Sequence, residues 1–379
     1  MLDSIFSVRT GLAVLGFAAI GFFVYQSVEF GGPKKIQPIR PVGTVEDIEA
    51  LANRDDVNVL FLLVDTLRAS RMSVYGYERD TTPFMRAVAD TGIVFGHNVA
   101  QSSWTKSSMA SIWSSLNPLR AGITKFDHTL SHELELPAEI LKDAGFMNVA
   151  MYRNGWVHGY FGFDQGFDKY YRPMGHRPDA EKFRENPNAL PHNTDEAMIV
   201  EAKEFLRIHG KSERWFLYAH LMDLHEYVYD EESAIFGTQT TDLYDNSIRR
   251  IDWLVSMAFE SLNEFDLLDE TIVVILSDHG EAFGERGFDG HAREVLPETT
   301  VTPMLISLPF TIDGGIVVKT PTSNTDVWPT LLDLLGLPTP GGDIDGRSRR
   351  PEILRAAREA KGGEATPVDS LAGDSAEPD

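Results

Sequence analysis

Cysteine is absent from the 379 residues. Its absence excludes disulfides, thiolate-bound zinc, iron–sulfur clusters and a cysteine nucleophile. It says nothing about compartment, because an exported protein need not carry disulfides. Basic side chains are scarce, 34 against 57 acids, for a formal charge of −23. That deficit argues against a nucleic-acid binder, which needs a basic face for phosphates. It leaves room for a local cationic pocket around a small anion. There is no Gly-x-x-x-x-Gly-Lys loop and no convincing Gly-x-Gly-x-x-Gly turn after a strand, the usual cradles for nucleotide phosphates. What is present, 42% hydrophobic and 24% charged residues, fits a folded chain of one large domain or two modest ones.

Gly11 to Val28 (GLAVLGFAAIGFFVYQSV) carries no charge. As a helix it would reach about 27 Å, close to the hydrocarbon thickness of a bilayer. No small-x-small cleavage site closes the run, so it reads as a single-pass transmembrane anchor rather than a signal peptide. Arg9 precedes it and Lys34, Lys35 and Arg40 follow, so flanking charge leans towards a cytoplasmic body. Residues 29–56, rich in Gly and Pro at the start, read as a linker, and 349–379 as a polar, disordered tail.

Between them strands and helices alternate. Val57–Val64 and Thr271–Ser277 are continuous apolar runs, as in parallel strands buried on both faces. Met147–Tyr152, Trp215–His220 and Pro303–Leu308 are further strand candidates. Helical patterns cover Thr82–Asp90, Ser107–Leu116, Pro137–Ala144, Asp195–Ile208, Asp242–Phe265 and Asp326–Leu335. The order predicts an α/β fold with a doubly wound, mostly parallel sheet over residues 57–348.

Three clusters carry chemistry. Both apolar runs end in aspartate, Asp65 and Asp278, where ligands bind in open parallel sheets. A cap or turn role is the plainer reading of either alone. Asp278-His279-Gly280 pairs a carboxylate with an imidazole, which suits a divalent metal. His291 follows in a glycine-rich loop that can fold back over the same edge. Ser102–Ser111 gathers hydroxyls before an apolar helix, as a cap run or an anion site. The third cluster, Tyr218-Ala219-His220-Leu221-Met222-Asp223-Leu224-His225-Glu226, follows a strand and carries two histidines and an aspartate.

Read in order, NVLFLLVDTLRASRMSVYGYERDTTPF, the Ser102–Ser111 cluster, GFDQGFDKYY, HLMDLHEYVYD, LSDHGEAFGERGFDGH and TDVWPTLLDLLGLPTPGGDIDGRS resemble the sulfatase family of the alkaline phosphatase superfamily. The resemblance implies Asp65, Asp278 and His279 as metal ligands, joined by Thr105 at the nucleophile position. It implies His225 and His291 as substrate-binding groups. Lys106 and Arg153 are further candidates for the anion, with Asn154 beside Arg153. Three departures stand out. Thr66 replaces a second aspartate, Leu224 a proline, and Thr105-Lys106-Ser107-Ser108-Met109 replaces the Cys/Ser-x-Pro-x-Arg signature of formylglycine sulfatases.

Threonine is not a formylglycine precursor, so no formylglycine is expected. A formylglycine hydrate releases sulfate by collapsing to an aldehyde, an exit a sulfated threonine lacks. A phosphothreonine can be attacked at phosphorus by water or an alcohol. Thr105 resembles the nucleophile of phosphoethanolamine and phosphoglycerol transferases, which favours a metal-dependent phosphoester hydrolase or transferase. A sulfatase without formylglycine, and an inactive membrane-anchored binding protein, are the alternatives. One divalent ion is expected, Zn²⁺ or Mn²⁺ ahead of Ca²⁺ or Mg²⁺. A second would require Asp223, His225 and His291 to converge. The expected partner is an anionic ester, on a lipid or glycan head group, with no nucleic acid. By resemblance, against the flanking charge, the catalytic domain is expected outside the cytoplasm.

Overall fold

The computed structural model describes residues 40–173, 194–360 and 371. The expected anchor at 11–28 lies outside them. No helix among the described residues is long and apolar enough to cross a membrane.

Eight strands form the main sheet: β1 (Asn58–Val64), β2 (Ile93–Phe95), β3 (Met147–Tyr152), β4 (Lys169–Tyr171), β5 (Trp215–Leu221), β6 (Thr271–Leu276), β7 (Met304–Ser307) and β8 (Ile316–Val318). Their order is β8-β2-β7-β6-β1-β5-β3-β4. The block β6-β1-β5-β3-β4 is parallel throughout, with β1 pairing β5 through Leu63–His220 and β6 through Leu63–Leu276. β7 runs antiparallel to both neighbours, and β8 lies parallel to β2.

Alternate residues of β1 enter two different cores. Val59, Phe61 and Leu63 face one, where Phe61 stacks on Trp328 with ring centroids 5.3 Å apart. Helices Thr105–Ser114, Pro137–Asp143 and Val327–Leu334 cover that face. Leu60, Leu62 and Val64 face the other, under helices Pro83–Ala89, Asp195–His209 and Thr240–Glu264. Helices on both faces explain why these strands are apolar throughout rather than alternating.

Two stretches assigned by sequence to linker and tail carry helices. Val45–Ala50 starts at a Thr44–Asp47 capping box and buries Val45 and Ile48. Arg350–Glu359 buries Ile353 and Ala357, one helical turn apart. Both are short amphipathic pieces whose few apolar positions are easily lost among charges.

Candidate active site

The five-strand parallel block ends on one edge, and the chemical residues gather there. Asp65 follows β1, Asp278 and His279 follow β6, Arg153 and Asn154 follow β3, and His220 is the penultimate residue of β5. Thr105 opens the helix Thr105–Ser114, which no side chain caps. A short hairpin pairing Ala282–Phe283 with Asp289–Gly290 returns the chain so that His291 reaches the same place. Gly280 allows the turn after His279 because a Cβ there would meet the Glu298 carbonyl at 2.2 Å.

Thr105 Oγ1 lies 3.1 Å from His279 Nε2. The other ring nitrogen of His279, Nδ1, donates to the Gly280 carbonyl at 3.0 Å, which leaves the Nε2 lone pair free to accept from Thr105. Asn154 Nδ2 donates to Asp65 Oδ2 at 2.7 Å and approaches Thr105 Oγ1 at 3.4 Å. Its amide is oriented by its own Oδ1, which accepts from the Trp156 amide at 2.9 Å. His220 Nε2 donates to the same Asp65 oxygen at 3.1 Å and its Nδ1 accepts from Tyr218, 2.8 Å away.

Each carboxylate keeps one oxygen in reserve. Asp65 Oδ2 is bonded as above, and Asp278 Oδ1 accepts from the amides of His279 at 2.9 Å and Thr66 at 3.4 Å. Asp65 Oδ1 and Asp278 Oδ2 accept no hydrogen bond although both residues are fully buried. His279 Nε2 is 3.7 Å from the first and 3.3 Å from the second. Among the described residues, Asp65, Asp278 and His279 form the group whose ligand atoms converge, all within 4.8 Å of one another. Two unpartnered buried oxygens and an imidazole lone pair are a donor set that fits a divalent cation. Burial pushes the Asp278 carboxyl well above the usual range, reinforced by the charge of Asp65. Burial also raises Asp65, but the His220 hydrogen bond and the nearby His279 and His220 outweigh it and hold it low. The His279 imidazole is pushed down to about 4, first by burial, so it stays neutral and able to ligate at ordinary pH.

Thr66, where a second aspartate was expected from the family pattern, sits at φ 64. A β-branched residue in the left-handed region is strained, and such strain concentrates at functional sites. Its fixed conformation brings its amide to Asp278 and its carbonyl to the Tyr244 hydroxyl.

His291 stacks on His279 with centroids 4.6 Å apart, and His225 meets His291 edge-on at 5.0 Å. Glu281 takes His291 Nδ1 at 3.1 Å, and its charge raises that imidazole's pKa against the effect of burial. His225 is lowered, chiefly by burial. The other two candidates for the anion lie elsewhere. Arg153 is bound to Asp195 at 2.8 Å, Glu226 at 2.6 Å and Asp223. Its guanidinium is committed to carboxylates, Asp223 among them. Lys106 turns its ammonium to the Phe126 carbonyl at 2.7 Å and the Phe161 ring at 3.4 Å from the centroid. Ser107 and Met109, at the proline and arginine positions of the formylglycine signature, bond the Ile123 carbonyl and fill the core respectively.

His220, Tyr218 and Glu281 stand in the clusters the sequence marks, but their roles, His220 holding Asp65, Tyr218 holding His220 and Glu281 holding His291, are not assigned there. His220 sits inside an apolar strand pattern, and the signal available was the exception itself, a histidine on a fully buried strand.

Residues 57–337 match the family model described as Sulfatase, nearly three quarters of the chain. The chain belongs to the sulfatase family. It is 24% identical over 361 residues to an ulvan-active sulfatase of Formosa agariphila, covering 82% of this chain and 70% of that protein. It is 23% identical over 360 residues to the Kdo(2)-lipid A phosphoethanolamine 7''-transferase of Salmonella typhimurium, covering 86% of this chain and 60% of the transferase. Its fold is that of a phosphonate monoester hydrolase from Agrobacterium radiobacter, with a TM-score of 0.64 at 16% identity over 79% of this chain and 77% of that one. The chain therefore spans only part of the length of these sulfatase-family relatives.

Proposed function

We propose that this sulfatase-family chain is a metal-dependent hydrolase or transferase of phosphate esters that works through a covalent Thr105 intermediate. The observation that carries the reading is the approach of Thr105 Oγ1 to His279 Nε2 beside two carboxylate oxygens that nothing else satisfies. Asp65, Asp278 and His279 would hold the cation, with Thr105 next to them. When bound, a divalent cation supplies Lewis acidity that favours the threonine alkoxide and offsets anionic charge.

The chain's own groups account for the rest. Asn154 fixes the direction of the Thr105 oxygen. Attack forms the Oγ1–P bond and breaks the bond from phosphorus to the ester alcohol, which leaves with the proton that Thr105 gave up. His225 and His291 donate hydrogen bonds to the non-bridging oxygens, aided by the uncapped amides at the start of the Thr105 helix. Water or a second alcohol then attacks phosphorus, and Thr105 leaves and recovers a proton. A sulfated Thr105 would need water to attack sulfur, so phosphate esters are the better fit.

The test is a panel of aryl phosphate, aryl sulfate and phosphodiester substrates with added Zn²⁺ or Mn²⁺, on wild type and Thr105→Ala. Turnover of phosphate esters that vanishes in Thr105→Ala is expected. Turnover of sulfate esters alone would return the chain to the sulfatase reading. No turnover of any ester would favour the inactive binding protein. By the same family resemblance, the anchor at 11–28 would hold the catalytic domain outside the cytoplasm; a reporter fused to the C-terminus that reads cytoplasmic would reverse this.

A further inference from the structure

Beside Thr105 opens a cavity of about 360 Å³ lined by Asn154, Gly155, Trp156, Phe161, Met222 and His225. Asn154 belongs to both places, because its amide also touches Thr105 and Asp65. The space is open to a group esterified at the reacting centre. Its wall continues as a run of rings: Trp156 meets Trp104 at 5.5 Å and Phe126 at 5.5 Å, and Phe161 lies 6.1 Å from Trp156 and 5.2 Å from Tyr160. Phe126 and Tyr160 are 70% and 77% exposed, so the run extends out to solvent.

Such a wall could suit two kinds of organic group. Aromatic faces stack on weakly hydrated rings, and they also attract cations such as an aminoethyl or choline head. Here the cation position is already taken. The Lys106 ammonium lies 3.4 Å from the Phe161 centroid and 5.7 Å from that of Trp156, anchored to the Phe126 carbonyl. Of the six residues lining the cavity none is acidic. A second cation entering would meet a like charge at these rings and no carboxylate among the six lining residues.

Resting on the phosphoester reading above, we propose that this cavity is a specificity subsite for an uncharged ring on the ester's organic group, and that Lys106 makes it reject cationic groups. Trp156 and Phe161 supply the stacking surface. Lys106 is thereby a specificity-determining residue rather than a phosphate ligand.

Isothermal titration of the full-length, metal-supplied protein with phenylphosphonate, methylphosphonate and 2-aminoethylphosphonate tests this without turnover. Phenylphosphonate should bind about tenfold more tightly than methylphosphonate, and 2-aminoethylphosphonate more weakly than either. Lys106→Met should narrow the gap between the aminoethyl and methyl compounds. Trp156→Leu, or Phe161→Leu if the first fails to fold, should reduce the phenyl preference. Equal or tighter binding of the aminoethyl compound by wild type would overturn the proposal. If that happens while aryl phosphate is still turned over, only the subsite falls. If no phosphonate binds and no ester is turned over, the phosphoester reading falls and takes the subsite with it.

Discussion

Thr105 Oγ1 and His279 Nε2 stand 3.1 Å apart although 174 residues separate them in the chain. The fold makes this meeting by ending β6 and starting an uncapped helix at the same sheet edge. Everything else around them serves to hold two carboxylates and one hydroxyl at close quarters in a dry place.

His220 holds Asp65 from behind, and is itself held by Tyr218. Outer partners of ligands orient them, and losing one typically weakens metal affinity about 10- to 100-fold. His220→Ala should show a loss of that order in a Zn²⁺ or Mn²⁺ titration followed by calorimetry, with Tyr218→Phe showing a smaller one. Unchanged affinity in His220→Ala would remove this residue from the site.

Arg153 bridges Asp195, Asp223 and Glu226, and Asp195 also accepts from the amides of Met222 and Asp223 at 2.7 and 2.6 Å. Removing the cation strands two buried carboxylates, so Arg153→Met should cost about 3 kcal/mol or more of stability. Denaturant unfolding measures it. A variant of wild-type stability with only a raised KM would instead make Arg153 a substrate ligand, as the sequence suggested.

Asp252, on the helix Thr240–Glu264, caps a different helix by accepting from the Phe84 and Met85 amides, each at 2.8 Å. Burial pushes its carboxyl up to about 7 from 3.8, against those two bonds. The folded state then holds a proton that the unfolded chain releases, so this contribution is complete below about pH 4 and is lost as pH rises through 7. The slope approaches about 1.4 kcal/mol per pH unit within that window. Unfolding of Asp252→Asn measured across it should show a flatter profile than wild type; parallel profiles would place the proton elsewhere.

The long apolar strands were legible because burial on both faces leaves a continuous hydrophobic signature. Met147–Tyr152 forms where it was expected, and Val57–Val64 loses only its first residue. The three-residue strands Ile93–Phe95, Lys169–Tyr171 and Ile316–Val318 are too short for any period to show. The reversed direction of Met304–Ser307 is a property of pairing rather than of composition. Asp65, Asp278 and His279, whose ligand atoms converge, are marked in the sequence by their places at strand ends, and Thr105 by resemblance alone. For Lys106 and Arg153 the sequence places a charge near the site but not the length and aim of its side chain. Arg153 reaches a carboxylate on the helix Asp195–His209, and Lys106 reaches an aromatic wall.

A Thr105 nucleophile must carry the transferred group during turnover. The direct measurement is mass spectrometry of enzyme mixed with an aryl phosphate and quenched in acid within the first turnovers. The expected result is one phosphoryl group on the peptide containing Thr105, present in wild type and absent in Thr105→Ala, which should fold and bind metal normally but turn over no ester. Turnover by Thr105→Ala at the wild-type rate, or a phosphoryl group trapped on any other residue, would contradict it.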